Sequence, residues 1–283
     1  MLPIHAVLEP LKAALARANA AVLAAPPGAG KTTVVPLALL DQRWLAGGKV
    51  LVLEPRRLAA RAAAERMAAT LGEKTGETVG YRTRLQSRVG PATRIEVITE
   101  GVFTRMVLDD PALEGVGAVL FDEFHERSLD ADLGLALARD SQSLLRDDLR
   151  ILVMSATLDI AGVSRLLHDA PVIEAEGRMF PVETRYAGRN AAERLEDAMA
   201  RAIALALGEE TGSVLAFLPG QGEIHRVAQR LSERLRNPAV DVVPLTGALY
   251  MAVQLRAFQP AARGRRMVVL ATWVAETSLT IEG

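Results

Sequence analysis

Residues 24–33 read AAPPGAGKTT and lie between a short apolar run and TVVPLALL. Gly28, Ala29 and Gly30 carry little side-chain bulk, so the backbone there can turn tightly and bring several N–H groups toward one point. A helix that starts where the turn ends aims its unpaired amides and its positive end at the same point. That is the chemistry of a phosphate cradle. Ala25, Pro26, Pro27, Gly28, Ala29, Gly30, Lys31, Thr32 and Thr33 fit the P-loop pattern, except that Ala25 stands where the pattern has glycine. Lys31 is then expected to reach the outer phosphates of a nucleotide, with the Thr32 hydroxyl on Mg²⁺. Only four of the 33 basic residues are lysine, so the chain uses a compact ammonium inside this loop while it writes arginine almost everywhere else. The bland reading of the same residues is a glycine-proline turn between a strand and a helix.

A second cluster is GAVLFDEFHERS, residues 117–128. An apolar run ends there in Asp122 and Glu123, with His125 two positions on. An acid at such a strand end holds Mg²⁺ in P-loop enzymes, and a neighbouring carboxylate can take a proton from water. Thr32, Asp122 and Glu123 are the candidate metal-facing residues, and Asp122, Glu123 and His125 the candidate catalytic ones. Successive strand side chains point to opposite faces. Both acids can therefore face one nucleotide only if the chain leaves the strand at this point. An unperturbed Glu123 is ionised at neutral pH and makes the better base, leaving a relay role for His125.

These residues need rigid carriers. AAVLAA (20–25), KVLVLEP (49–55), RIEVITE (94–100), GAVLFDE (117–123), RILVMSA (150–156) and PVIEAE (171–176) are mostly unbroken apolar runs, as strands buried on both faces of a parallel sheet require. Helical patterns separate them, so the fold class is α/β. Pro36 falls inside the helix after the loop, where a local kink is expected. The pattern breaks near EGRMFPVE and then restarts with VETRY, a helix over 191–207, SVLAFLP, a helix over 223–236, VDVVPLT and RRMVVLAT. Two domains, residues 1–178 and 179–283, are predicted.

Composition narrows the alternatives. The chain has 283 residues, half of them apolar, enough for two cores. Without cysteine there are no disulfides and no thiolate metal sites, which fits a reducing, cytoplasmic location. The four histidines are too scattered for a zinc site. No apolar run is long enough to span a bilayer, so no membrane partner is expected. Leu8, Leu11, Leu15 and Ala18 share one helical face instead of forming an export signal. A net charge of −1 gives no global field for nucleic acid, so any strand must be held by local arginines. Arg56 and Arg57 open a helix after a strand, where phosphate contacts are favoured. Aromatic residues are only 4% of the chain, too few for a base-stacking platform, which points to phosphate and sugar contacts.

GAGKTT, EPRRLAAR, ITEGVFTR, DEFHERSL, MSATLD, FLPGQGEI and ATWVAETSLTI occur in the order found in the DEAH-box helicases of superfamily 2, which nearly the whole chain resembles. The resemblance implies two RecA-like parallel-sheet domains of the P-loop NTPase class, with ATP and Mg²⁺ in the cleft between them. It implies ATP hydrolysis coupled to 3′-to-5′ movement along single-stranded RNA or DNA. It also implies that Ser155 and Thr157 join His125 in linking nucleotide state to domain motion. Arg56, Arg57, Thr99 and Glu100 would lie along the nucleic-acid track, with Gly220, Thr272, Thr277 and Ser278 as the second domain's contributions. Two departures stand out. Trp273 occupies a position where the family is expected to have asparagine, and the sequence ends at Gly283, before the family's arginine-rich motif. Such an arginine contributes about 10³–10⁵ in rate to phosphoryl transfer. The expectation is therefore a fragment whose second domain is truncated and leaves an exposed sheet edge. Two other readings compete: a nucleotide- and strand-binding module that hydrolyses little, and a P-loop NTPase that never touches nucleic acid, against which the FLPGQGEI and ETSLTI segments argue.

Overall fold

The computed structural model describes residues 2–156, 160–176, 182–188, 190, 192–235, 237–245 and 261–272. The chain divides into two compact units, Met1–Phe180 and Pro181–Gly283.

In the first unit the elements follow in the order α1 (Leu8–Arg17), β1 (Ala20–Ala24), α2 (Lys31–Leu39), β2 (Lys49–Glu54), α3 (Arg57–Thr70), β3 (Val79–Arg82), β4 (Ser87–Arg88), β5 (Ile95–Thr99), α4 (Glu100–Asp109), β6 (Val116–Phe121), α5 (Leu129–Leu144), β7 (Arg150–Ser155), α6 (Ile160–Leu166) and β8 (Val172–Glu174). The strands form one eight-stranded sheet in the order β4-β3-β5-β2-β6-β7-β1-β8. Every pairing is parallel except β3 with β4. β1, β2, β6 and β7 are buried almost throughout, which is why their sequences are unbroken apolar runs.

Each face of the sheet has its own core. Leu11 and Leu15 of α1, Val35 and Leu39 of α2, and Ala60, Ala64 and Met67 of α3 pack on one side. Phe103 and Val107 of α4, Leu135 and Ala138 of α5, and Val163 of α6 pack on the other. The alanine-rich α3 can lie close to the sheet because all its buried positions except Met67 carry only a methyl group. α2 runs on through the buried Pro36, which lacks an N–H for the intrahelical ladder. The short antiparallel pair β3–β4 has no long apolar run and is not foreseen by the periodicity.

The second unit contains α7 (Leu195–Glu209), β9 (Val214–Phe217), α8 (Gln221–Arg234), β10 (Val240–Leu245) and β11 (Arg266–Ala271). Among the described residues its strands form a parallel sheet in the order β10-β11-β9. Along β11 the burial alternates by face. Val268 and Leu270 join α7 and α8, while Met267, Val269 and Ala271 join Val243 and Leu245 of β10. The expected strand over VETRY is absent. Residues 182–186 are irregular, with Val182 and Tyr186 largely exposed. β-branched and aromatic residues favour a strand only where a neighbouring strand and a core receive them.

Parallel strands all end on the same side. In the first unit the carboxyl ends of β1, β7, β6, β2 and β5 form one row. Ala24 pairs with Ser155, Phe121 with Val153 and Leu53, and Glu54 with Thr99. Ligands of open α/β sheets bind beyond this edge.

Candidate nucleotide site

Ala25 extends the buried β1, and its N–H donates to the Ser155 carbonyl at 2.9 Å. The chain then turns through Pro26 and Pro27, with the Ala29 N–H donating to the Pro26 carbonyl at 3.2 Å. Gly28 and Gly30 have φ of 74° and 97°, the left-handed region that glycine enters without a Cβ penalty. At Gly30 there is also no space. A Cβ would lie 2.9 Å from Leu2 Cδ1 and 3.2 Å from Ile4 Cγ2. Ile4 is fully buried, and its N–H donates to the Ala29 carbonyl at 3.3 Å. Residues before α1 thus brace the loop from beneath. Their apolar character carries no catalytic signature, so only the folded chain shows this role.

α2 begins at Lys31, with Thr32 and Thr33 in its first turn. Lys31 is 3% exposed, and its Nζ lies 3.0 Å from Glu123 Oε1. The Thr32 hydroxyl donates to Asp122 Oδ2, and the Glu123 N–H donates to Asp122 Oδ1 at 2.8 Å. Asp122 is itself 2% exposed, and its N–H donates to the Leu53 carbonyl of β2 at 3.0 Å. Two residues of the loop helix therefore meet two residues from the end of β6.

Alternation along a strand would send Asp122 and Glu123 to opposite faces. The chain avoids this by leaving β6 at Phe121 and placing Glu123 in the left-handed region, φ 48°. A one-turn 3₁₀ helix, Phe124–Glu126, follows directly. Left-handed backbone at a non-glycine residue costs on the order of 1–3 kcal/mol and persists where packing enforces it. Phe124 is 3% exposed and packs edge-on against Phe121 at 6.2 Å between ring centroids.

Burial, reinforced by the Asp122 charge and opposed by Lys31, pushes Glu123 up to about 7. It is not the freely ionised carboxylate that its residue type suggests. His125 is lowered from its ordinary value by burial and by the Lys31 charge. Its Nδ1 accepts from the Ala156 N–H at 3.4 Å and faces Glu123 Oε2 at 3.4 Å. With the imidazole neutral, that second contact is not an ion pair. His125 thus spans from the acidic pair to the end of β7.

Glu54, at the end of β2, is a site residue that the sequence reading misses. It is 2% exposed, hydrogen-bonds Asp122, and is raised well above 4.5 by burial and by the charges of Asp122 and Glu123. Its position in EPRRLAAR directly after an apolar run was the available signal.

Among the other expected residues, Ser155 ends β7 and is buried. Arg56 is the residue before α3 and Arg57 its first residue. Arg56 Nη2 lies 3.7 Å from Glu126 Oε2, and Arg57 is exposed. Thr99 precedes α4, and the adjacent Glu100 is buried and accepts from the Ser128 hydroxyl. Gly220 precedes α8 and Thr272 follows β11, which places both at the carboxyl edge of the small sheet. Thr157, Thr277, Ser278 and Trp273 lie outside the described residues.

A buried strand, a glycine-bent loop and a Lys-Thr helix start, facing paired acids along the edge of a parallel sheet, define a P-loop domain of the RecA-like kind. The chain belongs to the DEAD/DEAH box helicase family, whose pattern it matches over residues 8–166. It is 55% identical over 282 residues to the ATP-dependent RNA helicase HrpB of Escherichia coli (strain K12), covering 100% of this chain and 35% of that protein. This is the relative that the spelling DEFHERSL, preceded by GYRTRLQSRV, suggests. A crystal structure of the Escherichia coli DEAH/RHA helicase HrpB superposes with a TM-score of 0.93 at 55% identity, over 100% of this chain and 36% of that one. A second, of the E. coli DExH-box NTPase HrpB, gives 0.82 at 56% identity, over 100% of this chain and 35% of that one. The chain thus spans about a third of the length of these relatives.

Two measurements probe the site without any ligand. Ile4→Ala removes a fully buried brace and should cost about 2–5 kcal/mol of folding stability, read as a lower urea midpoint. Glu54 resists ionisation in the folded chain, so its contribution to stability is full below 4.5 and declines as pH rises from there. Glu54→Gln cannot ionise yet keeps a donor for Asp122. Its thermal midpoint should gain on the parent protein's progressively from pH 4.5 upward; parallel midpoint curves would refute the burial assignment.

Proposed function

We propose that residues 1–178 form an ATP-binding domain and residues 179–283 part of a second RecA-like domain, within a protein that couples ATP hydrolysis to 3′-to-5′ movement along a single strand of RNA or DNA. The observation that carries this reading is the pair of cross-links from the loop helix to the end of β6, Lys31 to Glu123 and Thr32 to Asp122. The printed name of the HrpB relative favours RNA.

The donor set suits ATP·Mg²⁺. Gly28 and Gly30 give the loop the left-handed turns that a phosphate cradle uses, and Lys31 supplies a nearly enclosed ammonium. The Thr32 hydroxyl and the Asp122 carboxylate already face each other, and both are the hard oxygen donors that Mg²⁺ takes. Bound Mg²⁺ neutralises charge that develops on the phosphates. Lys31 would exchange Glu123 for phosphate oxygens, and the released Glu123 would orient a water and take its proton. A carboxylate near pH 7 is matched to that task at neutral pH. His125, bonded to the Ala156 N–H, would pass any displacement of Glu123 to the end of β7 at Ser155, with Thr157 as a further coupling residue. Arg56 and Arg57 would take strand phosphates, joined by Thr99, Glu100, Gly220, Thr272, Thr277 and Ser278 along the track. Glu100 would act there from behind, since its carboxyl is engaged by Ser128.

The decisive assay is ATP turnover by this chain and by a version extended to the length of the relatives, each with and without single-stranded RNA and DNA. Stimulation by single strands is expected for the extended version; turnover indifferent to both strands would remove the nucleic-acid reading. Lys31→Ala should abolish binding of a fluorescent ATP analogue, and unchanged binding would dismiss the phosphate cradle. Glu123→Gln should keep that binding while lowering turnover by about 10²–10⁴. Equal turnover in the two proteins would show that another group is the base.

A further inference from the structure

The segment that carries Glu123 also carries Glu126, and the two face different partners. Glu123 Oε1 meets Lys31 of the loop helix, whereas Glu126 Oε2 faces Arg56 Nη2 at the start of α3. They belong to one short unit. The Glu126 N–H donates to the Glu123 carbonyl at 2.9 Å, across a 3₁₀ turn with left-handed residues at both ends, Glu123 (φ 48°) and Arg127 (φ 49°). That unit is pinned on its far side. Arg127 makes a two-pronged bond to Asp132 at 3.1 and 2.9 Å and lies over the Phe124 ring at 5.6 Å. Ser128 caps α5 through the Ala131 N–H at 2.9 Å and bonds Glu100. Glu123 and Glu126 are thus joined by one short turn that is held on its far side.

The bond between Glu126 and Arg56 is itself incomplete. At 3.7 Å it is an ion pair outside hydrogen-bond range, against about 2.7–2.9 Å for a closed charge-assisted bond. The other carboxylate oxygen, Oε1, is buried and has no hydrogen-bond partner. Both side chains are mostly covered, 27% exposed for Arg56 and 18% for Glu126, so their attraction is less screened than a surface pair.

We propose that Glu126 is a positioning residue that competes with nucleic-acid phosphate for Arg56, and that the turn it shares with Glu123 ties this competition to what Lys31 holds. The proposal rests on the reading above in which Arg56 lies on the strand path. It adds a device to that reading. With Lys31 holding Glu123, Glu126 retains Arg56 and strand affinity is reduced. With Lys31 released from Glu123, the turn shifts, Glu126 loosens its hold on Arg56 and phosphate competes for the guanidinium more effectively. Because coupling is reciprocal, the strand must then strengthen nucleotide binding by the same factor.

The test is equilibrium binding of a fluorescein-labelled single-stranded oligouridylate to the whole chain, without nucleotide and with a non-hydrolysable ATP analogue, over a series of salt concentrations. Four proteins are compared: parent, Arg56→Ala, Glu126→Gln and the double variant. Arg56→Ala should weaken binding and reduce the log–log salt slope by about one. Glu126→Gln should tighten nucleotide-free binding by up to roughly fivefold, the worth of a pair of this type, and shrink the difference that the analogue makes. The double variant should match Arg56→Ala within about twofold, because the effect of Glu126 passes through Arg56. If Glu126→Gln tightens binding equally with Arg56 absent, the carboxylate acts only as a general negative charge and the competition is refuted. If Glu126→Gln weakens binding, Glu126 supports the strand contact and the proposal is overturned. If Arg56→Ala alone changes neither affinity nor slope, the strand reading of Arg56 fails first and the inference falls with it.

Discussion

One buried ion pair organises the first unit. Lys31 and Glu123 come from the start of a helix and the end of a strand far apart in the chain, and they meet at 3.0 Å with little access to water. Neither charge is comfortable there alone. Leaving one partner of such a pair unmatched costs about 3–5 kcal/mol, several times the worth of an exposed pair. The elements that bring them together are consequently rigid: a strand buried on both faces behind the loop, and another behind the acids. In the proposed nucleotide site the same pair is what a phosphate would break, so the group that stabilises the ligand-free chain would also be the group that a ligand sets free.

The surrounding carboxyls make sense in that light. Glu54, Asp122 and Glu123 crowd one small region with a single ammonium among them, and burial plus mutual repulsion raises Glu54 and Glu123. Asp122 is the best served of the three, accepting from Thr32 and from the Glu123 amide. The neighbouring Asp122 and Glu123 thus differ in their donors: Asp122 accepts from a hydroxyl and an amide, Glu123 from the Lys31 ammonium.

Backbone strain sets the geometry as much as charge does. The left-handed Glu123 turns the chain so that two consecutive side chains serve one site, and the left-handed Arg127 ends the same turn. The anchors that hold this shape are apolar and local: Phe124 against Phe121, Phe121 against Phe103, and the Arg127 guanidinium over the Phe124 ring. A strained hexapeptide held this way links the phosphate loop, the end of β7, the start of α3 and the start of α4 through four different side chains.

The amino-acid sequence alone determined the α/β class, most of the strands, the phosphate loop and the acidic pair. Those features are local: an apolar run buried on both faces, a glycine-rich bend and a strand-end acid are each written in a few adjacent residues. VETRY read as a strand because propensity is local too, yet it found no partner. The short pair β3–β4, the Leu2–Ile4 brace under Gly30, the buried Glu54, the inward turn of Glu100 and the bond between Glu126 and Arg56 were decided only by the tertiary structure. Each depends on which chain ends the strand order sets side by side, and on how much water remains there. Neither quantity exists until the sheet has formed.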